Sequence, residues 1–498
     1  MPKELPQQVP AAKSTASIYW HDYETFGVSS QLDFPAQFAG VRTNFELEIL
    51  PDLPASSFHC KPPPDYLPEP LACLITGITP QFALANGLSE PEFAKRVHAE
   101  FAKAGTVSAG YNSMRFDEEF TRQLLWRNGF EPYEREYANG NARFDLIDVM
   151  RMTYALRPEG MQWPIVDGKP SFKLELLAKA NQLEHSRAHD ALSDVYATLN
   201  LARKQKAAQP KLWAHAFSMR HKNVAASLLD YANATPVLHV SQRFSAERGC
   251  LALVLPLARH PSRSNQVIVY DLSIEPGPLL ALNAEAIAER IYVKAEDLPE
   301  GEARIPLKLV HLNRCPMLAP LSVLKGVDAS RIQLDVTTCL QHAEQIKSAL
   351  LAIQQKVRAV YALEPPFPSA DLAIDWPRQN PALYDGFAPP KDRAQLKALM
   401  QQEPKNWPVP TPEFVDARLK ALLQLYRARH FPKTLSHAEA SLWHAMRSAR
   451  LQFGERSFSH FFGEIERLRH TPEAASKQSL LDALQAYGLS LQTELAAN

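Results

Sequence analysis

The first clear pattern is the β-branched and aromatic run Ser17-Ile18-Tyr19-Trp20, which predicts a strand. Residues 1–14 before it hold prolines and lysines with little apolar content, so a disordered lead is expected there. Residues 37–43 and 46–50 predict two following strands, and 106–111 a buried one. Apolar positions three and four apart (Phe93, Val97, Phe101) predict a helix over 90–104. Residues 117–128, 174–181 and 190–206 predict further helices. Strands followed by helices in this order imply a layered α/β or α+β unit spanning 15–208.

Past Gln209-Pro210 the period changes. Short β-type runs at 236–240, 251–255 and 267–272, separated by turn signals, predict a small β-rich domain over 209–358. A helix-rich stretch, 340–360, closes it. Prolines crowd 364–392, so 359–392 is expected to be a proline-rich linker. Residues 393–498 are helical throughout, at 414–429, 438–453, 458–469 and 477–495. The fold class is therefore α/β, with a β-rich second domain and a helical third.

Composition narrows the partners. Apolar residues make up 46% and charged residues 22% of the 498, as in ordinary globular chains, which excludes a wholly disordered protein. No run of about 18 apolar residues occurs, so no membrane span is expected. Residues 1–17 lack an apolar h-region, which argues against a secretory signal. The five cysteines are widely spaced and form no CxxC pair, in keeping with reduced thiols and a cytoplasmic location. Lys plus Arg equal Asp plus Glu at 54 each. On its own, that neutrality argues against a nucleic-acid partner.

Three clusters carry chemistry. In Asp22-Tyr23-Glu24 the two acids share one face of a strand, because side chains alternate. Paired carboxylates repel unless a cation lies between them, and oxygen ligands favour a hard ion such as Mg²⁺ or Mn²⁺. The bland alternative is a solvated strand end. Asp117 opens a predicted helix, where the dipole tolerates a carboxylate; the alternative is a helix cap. Glu118 and Glu119 read as ordinary first-turn acids. In the third cluster Asp190 can cap a helix. Asp194 sits one turn inside it among apolar residues and needs a partner. His189 precedes that helix and can swing towards the same ion.

The order D-x-E, then D, then H-x4-D resembles the DEDDh group of 3′–5′ exonucleases. A tyrosine four residues before the last Asp would mark the DEDDy variant, but Asp190 stands there. Longer stretches resemble the bacterial exonuclease I family: His21-Asp22-Tyr23-Glu24-Thr25-Phe26-Gly27, Leu74-Ile75-Thr76-Gly77-Ile78-Thr79-Pro80, Gly110-Tyr111-Asn112, Tyr154-Ala155-Leu156-Arg157-Pro158-Glu159-Gly160, Ala188-His189-Asp190-Ala191, Lys308-Leu309-Val310-His311-Leu312-Asn313 and Tyr426-Arg427-Ala428-Arg429.

The resemblance implies a ribonuclease H-like exonuclease domain, an SH3-like domain and a helical C-terminal domain that together form a groove for single-stranded DNA. It further implies a monomer that hydrolyses such DNA stepwise from the 3′ end to deoxynucleoside 5′-monophosphates, in DNA repair and recombination. By the same resemblance Asp22, Glu24 and Asp194 hold one Mg²⁺, with Asp22 bridging to a second that Asp117 anchors through water, the pair about 3.5–4 Å apart and Mn²⁺ a substitute. His189 is the implied general base, a role that imidazole side chains commonly fill at neutral pH. Implied substrate contacts are Glu24, Arg122, Tyr133, Tyr137, Arg151, Lys173 and Lys222. Lys173 replaces a usual Arg and loses the bidentate fork, and Tyr137 stands in place of the family's Trp. Arg157 is implied to dock the acidic C-terminal tail of single-stranded-DNA-binding protein.

Other signals fail: His311, Cys315 and Cys339 lack zinc spacing, and no P-loop or dinucleotide fingerprint is present. Rival readings are a 3′–5′ exoribonuclease of the same group, a non-catalytic single-strand-binding protein and a proofreading-type subunit bound to a polymerase. Nothing local in the motif separates DNA from RNA. Neutrality is compatible with a DNA partner if positive charge is concentrated along a groove. Affinity for single strands, followed by fluorescence anisotropy, should then fall steeply between about 50 and about 200 mM salt. A flat response would count against a phosphate-lined groove.

Overall fold

The computed structural model describes residues 16–185, 189–293, 295–363, 383–408 and 412–497. The expected disordered lead lies outside them, as does the 364–382 part of the expected linker. Among the described residues, no helix is long and apolar enough to cross a membrane, and all five cysteines are buried and unbridged.

The first sheet contains β1 (Ser17–Thr25), β2 (Pro35–Thr43), β3 (Ser56–His59), β4 (Thr106–Gly110) and β5 (Ala142–Asp145), in the order β3-β2-β1-β4-β5. β1 is antiparallel to β2 and parallel to β4. It lies at the centre and is covered on both faces, which explains its near-continuous apolar run. Ile18 and Trp20 point to the side of the helix Ala191–Ala208, which packs across β1 and β2. Tyr19 and Tyr23 point to the other side, where Phe93 and Leu124 bring in the helices Glu90–Phe101 and Asp117–Arg127. This alternation puts Asp22 and Glu24 on the face of Ile18 and Trp20, towards the helix Ala191–Ala208.

A two-stranded hairpin, β6 (Ile165–Val166) with β7 (Lys169–Pro170), follows the helix Leu146–Leu156. The second sheet contains β8 (Val237–Val240), β9 (Leu251–Arg259), β10 (Gln266–Asp271), β11 (Leu307–His311) and β12 (Met317–Pro320). It is wholly antiparallel, in the order β11-β10-β9-β8-β12. Its core is continuous with that of the first unit. Beyond it the helices Pro390–Met400, Ala417–His430, His437–Phe453, Phe458–Arg469 and Gln478–Ala497 pack back on the first unit, joining Phe461 and Leu484 to Phe34 and Leu74.

Several expectations are corrected. Residues 46–50 form a turn, not a strand: Leu47 has a φ of 69°, and only a bridge between Thr43 and Ile49 links the segment to β2. The stretch 340–360 is two helices, Val336–Lys347 and Leu350–Ala362, broken at Ala349, whose φ of −123° is not helical. The linker is shorter than 359–392, because 359–362 complete a helix, 390–392 begin one, and Leu383 is buried against Trp126.

Buried ion pairs fasten the helical unit to the first. Asp65 binds Arg429 at 2.9 Å and also meets Arg450, and Arg456 pairs with Asp33 at 2.9 Å. Glu90 meets Arg127 at 2.7 Å and His430 at 3.4 Å. Burial alone would raise the Glu90 carboxyl, but Arg127 and His430 hold it down to about 2. Glu90→Gln should therefore destabilise the protein by about 3 kcal/mol at neutral pH. A depressed carboxyl contributes fully above its ordinary value of 4.5 and loses that contribution as pH falls through about 2. Thermal melts of parent and variant should differ near pH 7 and converge on acidification.

Candidate active site

The strand end Asp22-Tyr23-Glu24 opens into a cleft of about 940 Å³. Asp22 is the one position of β1 that is not fully buried. Glu24 follows on the same face. Asp117 enters from the start of its helix, with its Oδ1 accepting the Tyr23 N–H at 3.0 Å. Asp194 lies in the first turn of the helix Ala191–Ala208, which Asp190 caps by accepting the Ser193 N–H at 3.1 Å. His189, exposed and at a φ of 64°, stands just before that cap. Ligand atoms of Glu24, His189 and Asp194 lie within 4.8 Å of one another.

The electrostatics follow from crowding. Burial raises the Asp22 carboxyl well above its usual range, and Asp117, Glu24 and Asp194 push it further. Burial and the neighbouring Asp194 and Asp117 lift Glu24 to about 8. Burial takes Asp117 to about 8, against the lowering effect of backbone hydrogen bonds. Asp194 is also raised by burial, with partial relief from His185, whose Nε2 lies 2.5 Å from Asp194 Oδ1. Among the described residues no lysine or arginine forms an ion pair with any of the four, and only His185 pairs with Asp194. A desolvated set of oxygen donors without an internal cation fits a hard divalent ion.

Two contributors were not foreseen. His185, four residues before His189, touches Asp194. Asp145, at the end of β5, accepts the Asn112 N–H at 2.8 Å and the Met114 N–H at 3.0 Å, and caps the helix Leu146–Leu156 through the Ile147 N–H at 3.1 Å. It thereby holds the loop that delivers Asp117. An Asp between a strand and an apolar helical run was the available signal.

The other expected residues are dispersed. Arg151 and Lys173 line the cleft. Arg151 also binds Asp148 at 2.5 Å and lies over Phe172. Tyr133 and Tyr137 line a second concavity of about 780 Å³, between the first unit and the helical one, with Trp126, Phe387 and Lys397. Tyr137 is 68% exposed. Lys222 is exposed and bonds Asn265. Arg122 departs from its expected place on an open strand-binding surface. It is buried, with Nε 2.7 Å from Glu136 and Nη1 2.7 Å from Glu119. Arg157 spends its guanidinium on the carbonyls of Leu156 at 2.5 Å and Val323 at 3.0 Å, bracing two units. Glu118 is no solvated first-turn acid either. It is buried against Arg135 at 2.7 Å and Arg143 at 3.4 Å, and these arginines hold it far below the carboxylate range against the effect of burial.

Family models match the chain in three consecutive blocks: an exonuclease model over residues 19–202, the exonuclease I SH3-like domain over 220–363 and the exonuclease I C-terminal domain over 379–491. Exodeoxyribonuclease I of Escherichia coli K12 is 42% identical over 477 residues, covering 95% of this chain and 98% of that protein. The zinc-bound form of an E. coli ExoI–ssDNA complex superposes with a TM-score of 0.88 at 41% identity, over 96% of this chain and 100% of that one. An ExoI/SSB-Ct complex gives 0.86 at 41%, over 96% and 99%.

The raised carboxyls have a consequence for the metal-free protein. A carboxyl with an elevated pKa contributes stability below its ordinary value and loses it as pH rises, here through about 8 for Glu24 and Asp117. In EDTA the melting temperature should fall from about pH 5 to about pH 8.5. Asp117→Asn should flatten that fall and melt higher than the parent at the alkaline end, as read by scanning fluorimetry.

Proposed function

The chain belongs to the exonuclease I family, and on that premise we propose that it degrades single-stranded DNA stepwise from the 3′ end, releasing deoxynucleoside 5′-monophosphates during DNA repair and recombination. The observation that carries this reading is the set of four desolvated carboxylates, Asp22, Glu24, Asp117 and Asp194, converging beside His189 at the floor of one cleft. Three units take part, an exonuclease unit to about 208, an SH3-like unit to about 358 and a helical C-terminal unit.

In this reading Asp22, Glu24, Asp117 and Asp194 are the residues that would hold the divalent ions. When bound, such ions, Mg²⁺ with Mn²⁺ as a substitute, supply Lewis-acid polarisation of the phosphate and neutralise the charge that builds on it. His189, exposed beside these carboxylates, takes a proton from the attacking water on an imidazole nitrogen. His185 orients Asp194, and the Tyr23 N–H orients Asp117. Lys173 and Arg151 line the approach to the scissile phosphate, and Glu24 faces the terminal nucleotide. Tyr133 and Tyr137 offer ring faces on which bases stack without sequence preference. Lys222 extends the basic track. Arg122 acts on the strand indirectly, through the Tyr133 ring that its guanidinium covers at 5.4 Å. The acidic tail of single-stranded-DNA-binding protein is the protein partner, and Arg157 contributes to its site.

Asp22→Ala should abolish nucleotide release from a 3′-labelled single strand while anisotropy still reports strand binding, because stacking and phosphate contacts supply that affinity. Equal loss of both would mean a folding defect. Matched DNA and RNA oligomers should separate sharply in rate, and equal hydrolysis of the two would redirect the reading to an exoribonuclease.

A further inference from the structure

Asp117, Glu118 and Glu119 are consecutive in the first turn of one helix, about 100° apart around its axis. Their side chains are committed to three different surroundings. Asp117 faces the cleft. Glu118 accepts from Ser108 Oγ at 3.2 Å and pairs with Arg135 and Arg143 inside the exonuclease unit. Glu119 belongs to the accessory units: its Oε1 lies 3.7 Å from Arg314 of the SH3-like unit, and its Oε2 accepts the Tyr384 hydroxyl of the C-terminal unit.

A ring of charges closes around this turn. Arg122 Nη1 meets Glu119 at 2.7 Å, and its Nε meets Glu136 at 2.7 Å. Glu136 meets Arg143 at 3.0 Å, while the same Arg143 nitrogen donates to the Asn313 carbonyl of the SH3-like unit at 2.7 Å. Both accessory units therefore touch the helix end that presents a catalytic carboxylate, within two residues of it. An unanchored first turn frays, and a misplacement of about 1 Å can cost about a hundredfold in rate.

We propose that Glu119 is a positioning residue through which the SH3-like and C-terminal units fix the start of the helix Asp117–Arg127, and with it the Asp117 carboxylate, in the geometry that binds the divalent ion. The inference deepens the exonuclease reading and rests on it. Glu119 is only partly buried and its Arg314 partner is 46% exposed, so that cross-unit pair contributes little to global stability. Its effect should appear at the metal site instead.

The test uses the full chain carrying Glu119→Gln or Tyr384→Phe. Mn²⁺ affinity without DNA, read from the free-ion EPR signal, should weaken about tenfold in Glu119→Gln. kcat on a single strand should fall by a similar factor while KM stays within about twofold. Tyr384→Phe, which leaves the Glu119 charge in place and deletes one hydroxyl, should move both in the same direction by less, so the loss is not a bare charge effect. The double variant should be no worse than Glu119→Gln alone. Mn²⁺ affinity and kcat unchanged in both variants, or a lower melting temperature with Mn²⁺ affinity unchanged, overturns the proposal. If Glu119→Gln does not fold, Tyr384→Phe decides by itself. A parent that binds Mn²⁺ but releases no nucleotide would sink the exonuclease reading, and the Mn²⁺ comparison would still decide the positioning role.

Discussion

The fold is organised around forcing four carboxylates together where water is scarce. Asp22, Glu24, Asp117 and Asp194 come from three separate stretches of chain, and each raises the charge density felt by the others. Such a cluster opposes folding unless the scaffold is rigid and a cation offsets the repulsion. The rigidity has identifiable sources. β1 is buried on both faces, the helix Ala191–Ala208 is packed across it, and Asp145 ties down the loop that leads to Asp117. These features make little sense as a stability device. They make sense as the supports of the metal site proposed for these carboxylates, whose spacing must not drift.

The accessory units use charge differently. Their pairs with the exonuclease unit are internal and matched: Asp65 with Arg429, Asp33 with Arg456, and Glu90 with His430. Many of the chain's arginines are thus spent on holding units together. This bears on the equality of 54 basic and 54 acidic residues. Neutrality reflects many internal pairs, and leaves the proposed strand track a modest set of exposed groups such as Lys173 and Lys222.

Legibility varied with the range of the interaction. The D-x-E pair could be read because strand alternation is local, and Asp194 because a carboxylate among apolar helical positions is anomalous by itself. The helices Pro70–Thr76 and Pro80–Asn86 were missed because each is short and opens on a proline, which along the chain signals a loop. Residues 46–50 misled because their strand-like alternation was overridden by a positive φ at Leu47. Arg122 and Arg157 carried a functional expectation by family position, and nothing local showed that Glu136 or the Val323 carbonyl would engage them.

By itself, the amino-acid sequence determined the three-part organisation, the chemistry of the ligand set and the family. The organisation rests on spacing and short-range periodicity, the ligand chemistry on residue type, and the family on the resemblance of whole motifs. Only the tertiary structure decided which acids share a cleft and which neutralise arginines. Glu118 and Glu119 read alike as first-turn acids along the chain, yet one faces a buried arginine pair and the other the accessory units, while Asp117 beside them faces the cleft. Their different roles come from partners more than a dozen and up to 265 positions away. Burial and Coulomb interactions depend on distance in space, which a linear pattern does not record.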